Sequence, residues 1–114
     1  MLDQRGSRRR LVRWKAAVIP LNKPDKVIQG FATEIAQRGV TMFCAEQLST
    51  VSQYRIVFRV PDVMFLDVSY VEIQGQPIYS SLVGSTGQFR TGIKLIGENK
   101  DYRDKLDQLL RTMA

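Results

Sequence analysis

The chain has 114 residues, of which 44% are hydrophobic and 25% are charged, a balance that predicts one globular domain spanning residues 1–114. It has no histidine and a single cysteine, Cys44, which excludes an internal disulfide and argues against a metal cluster or a Cys–His catalytic pair. These absences also predict a protein that is not an enzyme and needs no cofactor. The chain lacks a signal-peptide pattern and any apolar run near the roughly 18 residues that span a bilayer, so we expect it in the cytoplasm.

The N-terminal segment carries most of the net charge of +6. Residues 1–15 contain six basic side chains and one acidic side chain, a net of +5, and the densest part is Arg8, Arg9, Arg10 and Arg13. Such a concentrated positive field predicts an anionic partner: a phosphate, a nucleic acid or an acidic surface. The alternative is a solvated basic tail that aids solubility. Residues 1–10 are predicted to be a flexible tail, since they have no apolar side chain after Leu2.

Seven segments after this tail have the composition or the alternation of β-strands. They cover residues 14–21, 26–35, 40–45, 54–60, 65–73, 78–83 and 89–96. Turn-forming residues separate them, including Gly39, the pair Gln74-Gly75 and the loop 84–87. Short antiparallel strands in this number must close on themselves or be covered, because open sheet edges promote aggregation.

The end of the chain changes from strand to helix periodicity. An apolar stripe with helical spacing is formed by Tyr102, Leu106, Leu109, Leu110 and Met113. Asn99 is the expected N-cap of this helix, and the stripe is expected to pack on the sheet. The predicted fold is therefore all-β (mainly): a six- or seven-stranded antiparallel β-barrel with a C-terminal α-helix.

Three stretches resemble the PilZ domain, a bacterial family known for binding the second messenger cyclic di-GMP. Arg9-x-x-x-Arg13, together with Arg8 and Arg10, resembles the first motif of that family, which lies just before the first strand. Residues 34–39 (Glu-Ile-Ala-Gln-Arg-Gly) align with its second motif, which is Asp or Asn, x, Ser, x, x, Gly. Residues 89–95 (Phe-Arg-Thr-Gly-Ile-Lys-Leu) resemble its last strand. The resemblance covers residues 8 to 112 and implies a six-stranded barrel.

The resemblance also implies a cyclic di-GMP site and a role for each residue that matches the motifs. Arg9 and Arg13 would clamp phosphate and guanine, Arg8 and Arg10 would add charge and stacking, Glu34 would accept hydrogen bonds from guanine, Arg38 would reach a phosphate, and Gly39 would preserve the turn. Two positions depart from the family pattern. Glu34 is one methylene longer than the usual Asp or Asn, and Ala36 lacks the hydroxyl of the usual Ser.

Two other functions are compatible with the sequence. A PilZ-like adaptor that binds a downstream protein without the nucleotide would explain the altered second motif. A basic module that binds nucleic acid through the N-terminal tail is less favoured, because the remaining 99 residues carry a net charge of only +1. Trp14 could stack on a guanine but is expected in the core, and Cys44 is expected to be a buried small apolar residue.

Overall fold

The computed structural model describes residues 9–62 and 67–112. It contains β1 (Arg9–Pro20), β2 (Ile28–Ala36), β3 (Gly39–Cys44), β4 (Tyr54–Asp62), β5 (Asp67–Val83), β6 (Gln88–Leu95) and α1 (Lys100–Thr112). The strands close into an antiparallel barrel in the order β1-β2-β3-β6-β5-β4. The predicted fold class is confirmed, with six strands.

The barrel interior is filled by every second residue of the strands, as the alternation in the sequence predicts. In β4, the inward side chains are Tyr54, Ile56, Phe58 and Val60, and each is at most 5% exposed. Trp14 belongs to the same core, with its ring 5.7 Å from that of Phe58. Trp14 is therefore a core residue in this structure.

β5 differs from the prediction of two strands separated by a turn at Gln74-Gly75. It is one strand of 17 residues, whose first half pairs with β4 and whose second half pairs with β6. Gly75 pairs with both neighbours, opposite Tyr54 and Leu95. A Cβ at Gly75 would lie 2.3 Å from Cγ2 of Ile93, so this glycine leaves room inside the barrel for the Ile93 side chain. The predicted turn was wrong because this glycine makes room for a neighbouring side chain and does not reverse the chain.

β1 begins at Arg9, five residues before the predicted start. Arg9 and Arg10 are paired with Ala36 and Ile35 of β2, so these two residues belong to the barrel and not to a flexible tail. Their backbone groups bond to β2 while the Arg9 side chain remains exposed, and a polar segment can therefore extend the strand. The rest of the predicted tail, residues 1–8, lies outside the described residues.

The helix α1 packs its apolar stripe against the barrel, as predicted. Tyr102 and Leu106 are buried, and Leu109 and Leu110 pack against the core; Met113 lies outside the described residues. Asn99 immediately precedes α1, and its carbonyl oxygen accepts a hydrogen bond from the Arg103 amide. Its side chain does not cap the helix: Oδ1 accepts a hydrogen bond from the Gln74 amide at 3.1 Å, which ties the helix start to β5.

Within the described ranges, no helix has the length and the apolar character that a membrane crossing requires.

Candidate functional site

The outer face of the barrel carries a depression of about 280 Å³ that we call the outer depression. Five strands contribute to its lining: Arg9, Glu34, Ala36, Gly39, Val40, Thr41, Ile78, Tyr79, Arg90, Gly92 and Ile93. Three of the residues predicted for the ligand site, Arg9, Glu34 and Gly39, therefore line the same depression. They come from β1, β2 and the start of β3.

The strand pairing explains why these residues meet. Arg9 lies opposite Ala36, two residues beyond Glu34 along β2. The register of β2 against β3 shifts between Ala32 and Glu34. Gly39 forms part of the floor with its backbone, since a Cβ there would lie 2.7 Å from the carbonyl oxygen of Ile93. A side chain at this position would have to displace the neighbouring strand or fill the depression.

Arg9 and Glu34, which both line the depression, form an ion pair. Nη1 of Arg9 lies 3.5 Å from Oε2 of Glu34, and the two side chains are 67% and 25% exposed. An ion pair this long and this exposed contributes little to stability, about 0–1 kcal/mol. Both charges can therefore be redirected to a ligand at low cost.

Arg90 and Tyr79 also line the depression, and the sequence did not predict them as site residues. The Arg90 guanidinium lies 5.8 Å from the centroid of the Tyr79 ring, and that ring covers Gly92, where a Cβ would lie 2.3 Å from a ring carbon. The alternation in β6 places Arg90 and Gly92 on the same face of the strand. The sequence alone does not show which strand lies beside β6. Its partner is β3, more than 40 residues earlier in the chain.

Arg13 lines a second, larger depression of about 540 Å³. Its guanidinium lies 4.8 Å from the centroid of the Phe31 ring. Phe31 in turn stacks on Phe43, with ring centroids 5.6 Å apart and planes inclined by 14°. Along an extended strand, four residues span roughly 13 Å. The two arginines of the first motif therefore lie in neighbouring depressions.

The remaining predicted residues lie elsewhere. Arg38 lines a third depression, of about 150 Å³, near the start of α1, and its carbonyl oxygen accepts a hydrogen bond from the Leu95 amide. Arg10 is partly buried opposite Ile35 and does not line the outer depression. Arg8 lies outside the described residues.

The charged side chains of the outer depression suit the binding of an anionic ligand. Two guanidinium groups and a carboxylate line it. Guanidinium groups grip phosphate oxygens in pairs, and a carboxylate accepts hydrogen bonds from a base edge. Across residues 9–62 and 67–112, His, Cys, Asp and Glu side chains form no group of three or more that could hold a metal ion.

The turn between β2 and β3, which forms one edge of the depression, is bonded to α1. The Tyr102 hydroxyl donates a hydrogen bond to the Ala36 carbonyl oxygen at 2.6 Å and accepts one from the Ala36 amide at 3.1 Å. Burial raises the pKa of Tyr102, so this hydroxyl keeps its proton at physiological pH. The sequence periodicity predicts that Tyr102 packs on the sheet, but it does not indicate this hydrogen bond.

Comparison with known proteins identifies the fold. No family model matches the sequence, and no curated protein matches it. Among solved structures, the inhibitor of motility MotI/DgrA from Bacillus subtilis is similar, with a TM-score of 0.73 and 14% sequence identity. The match covers 98% of this chain and 52% of that chain, so this chain spans about half the length of its structural neighbour. At this identity the similarity concerns the fold alone, and it supports a PilZ-like fold.

Proposed function

We propose that this chain is a PilZ-like receptor module that binds cyclic di-GMP in the outer depression and acts in signal transduction. One observation carries this proposal. Arg9, Glu34 and Gly39, which align with positions of the two ligand-binding motifs of the PilZ family, come from separate strands and line one depression. As a receptor for a bacterial second messenger, the module would act in the cytoplasm.

The charges of the depression suit a nucleotide phosphate. Arg9 and Arg90 line the same depression from β1 and β6, and a phosphate between them would receive two charge-assisted contacts. Such hydrogen bonds are each worth about 1.5–3 kcal/mol. Tyr79, held beside Arg90, adds an aromatic surface on which a planar base can pack.

Glu34 accounts for the expected preference of the site for guanine. The Watson–Crick edge of guanine offers two neighbouring N–H donors, and a carboxylate has only acceptors. Adenine has no donor at its ring N1, so it fits this arrangement less well. Glu34 would then exchange its long ion pair with Arg9 for hydrogen bonds to the base, which leaves Arg9 to the phosphate.

Arg13 is assigned to the part of the ligand that extends along β1. Its guanidinium lies over Phe31, and both residues line the second depression. A guanidinium group stacks readily on a flat base. Arg38 lines a different depression, so we assign it no contact with the ligand.

Calorimetric titration tests the proposal. Cyclic di-GMP added to the full chain should release heat that saturates, and cyclic di-AMP should bind more weakly because Glu34 distinguishes the bases. The absence of binding heat for cyclic di-GMP at high micromolar concentration would rule out the function. Equal affinity for both nucleotides would remove the role of Glu34.

A second function, that of a protein-interaction adaptor without a nucleotide, is favoured by two features. Ala36 stands where the family motif has Ser. Two large apolar side chains are exposed nearby: Ile78, which lines the depression and is 62% exposed, and Leu11, which is paired with Glu34 and is 79% exposed. Such side chains suit contact with a protein surface. A partner retained by an Arg9→Ala variant, together with no effect of nucleotide on its capture, would favour the adaptor.

A further inference from the structure

The end of the β2–β3 hairpin is held by a side chain from the opposite end of the sequence. Strand pairing between β2 and β3 ends at Ile35 and Val40. At the next positions the Tyr102 hydroxyl is bonded to both backbone groups of Ala36 and lies 3.4 Å from the Gly39 carbonyl oxygen. One hydroxyl of α1 thus serves the two residues that flank the hairpin turn.

Burial of the ring and hydrogen bonds to the backbone hold this hydroxyl in place. Tyr102 is fully buried, and it is among the largest fully buried side chains of the described residues. Its ring is fixed in the core beside Leu106. A buried polar group is expensive to leave without a partner, so the hydroxyl and the Ala36 backbone groups hold each other in place.

The hairpin turn and the outer depression share residues. Ala36 and Gly39 both line the depression, and Glu34 lies two residues before Ala36. A change in the position of the turn would therefore displace lining residues of the depression, Glu34 and the Gly39 backbone among them. Docking of α1 on the barrel and the shape of the ligand site depend on the same hydrogen bonds.

Building on the nucleotide-binding function proposed above, we propose that Tyr102 is a positioning residue. Its hydroxyl fixes the β2–β3 turn in the conformation that binds the ligand, and it links the docking of α1 to the occupancy of the outer depression. Such a link is reciprocal: the bound ligand stabilises the docked helix to the same extent that the docked helix strengthens ligand binding.

Tyr102→Phe tests this role, because it keeps the ring in the core and removes only the hydroxyl. Tyr54→Phe is the matched control: Tyr54 is also buried, and its hydroxyl also accepts a backbone hydrogen bond, from Ser49 at 2.9 Å, but away from the outer depression. Amide hydrogen exchange of the unliganded protein, measured by NMR, should become about three- to tenfold faster at residues 34–41 in Tyr102→Phe. It should not change there in Tyr54→Phe.

Titration with cyclic di-GMP completes the test. Tyr102→Phe should weaken binding by about three- to tenfold, and Tyr54→Phe should leave the affinity unchanged. Unchanged exchange at residues 34–41 would overturn the role of Tyr102 in the turn, and faster exchange with unchanged affinity would overturn its link to the ligand. Failure of the native chain to bind would refute the proposed function, and the exchange comparison would still decide whether Tyr102 fixes the turn.

Discussion

Arg90 is the site residue that is most informative at the scale of a single side chain. It lies in the outer depression with Arg9, although the sequence assigns it no role in the ligand site. Arg90→Ala should weaken cyclic di-GMP binding by about 1.5–3 kcal/mol, the usual value of a charge-assisted hydrogen bond. Calorimetry on the variant measures this loss.

Arg59→Ala is the control for that substitution. Arg59 is an exposed arginine on β4 and lines none of the three depressions described above. Its removal lowers the net charge by the same amount and should change the affinity little. Equal losses for the two variants would mean that binding depends on overall charge and not on the depression.

Gly75 provides a stability prediction at the same scale. Gly75→Ala places a methyl group 2.3 Å from Cγ2 of Ile93, a branched side chain that is only 2% exposed and has little room to move. Overpacking of this kind costs about 1–3 kcal/mol. Urea denaturation should show a lower midpoint with an unchanged slope.

Gly84→Ala is the matched control for Gly75→Ala. A Cβ at Gly84 would meet no atom within 4 Å, and Gly84 does not have a positive φ. The free energy of unfolding of the Gly84→Ala variant should therefore stay within about 0.5 kcal/mol of that of the native chain, the usual range for surface substitutions. A loss at Gly84 as large as that at Gly75 would contradict the explanation by close packing.

At the scale of the elements, the sequence predicts strands well where one face is buried and the other is exposed. β4 is the clearest case, since four alternating apolar residues fill the core. β5 was divided wrongly because glycine is common both in turns and at corners of a barrel, and only the position of Ile93 tells them apart. The early start of β1 was missed because an arginine-rich segment carries no apolar alternation.

The candidate site shows the same division between local and distant information. Arg9, Glu34 and Gly39 could be predicted because each belongs to a short motif. Arg90 and Tyr79 could not, since they reach the site through the pairing of β6 with β3 and β5, which no local pattern specifies. The separation of Arg13 from Arg9 follows from the extended backbone of β1, so one ligand that contacts both arginines must extend along this strand.

At the scale of the whole molecule, stability should depend on pH above neutrality. Burial raises the pKa of the Cys44 thiol to about 11, partly offset by a hydrogen bond with Thr91. In the unfolded chain the thiol has its ordinary pKa of about 9. Between these values the unfolded chain loses a proton that the folded chain keeps, so the free energy of unfolding falls as pH rises from about 9 to about 11, by roughly 2–3 kcal/mol in total.

Cys44→Ala isolates this contribution. The variant lacks the thiol, so its stability should fall less steeply between pH 8.5 and pH 10 in chemical denaturation, whatever its stability at pH 7. The raised pKa of Tyr102 acts in the same direction at higher pH and is present in both chains. Equal slopes in this interval would show that the Cys44 thiol does not titrate as its burial requires.

The molecule as a whole is a PilZ-like barrel with a cation-lined depression on its outer face, and we propose that this depression binds cyclic di-GMP through Arg9. The most direct measurement is calorimetric titration of the native chain and of Arg9→Ala side by side. The native chain should bind, and the variant should bind more weakly by about 1.5–3 kcal/mol. Binding of equal strength by both chains, or no binding by the native chain, would contradict the account.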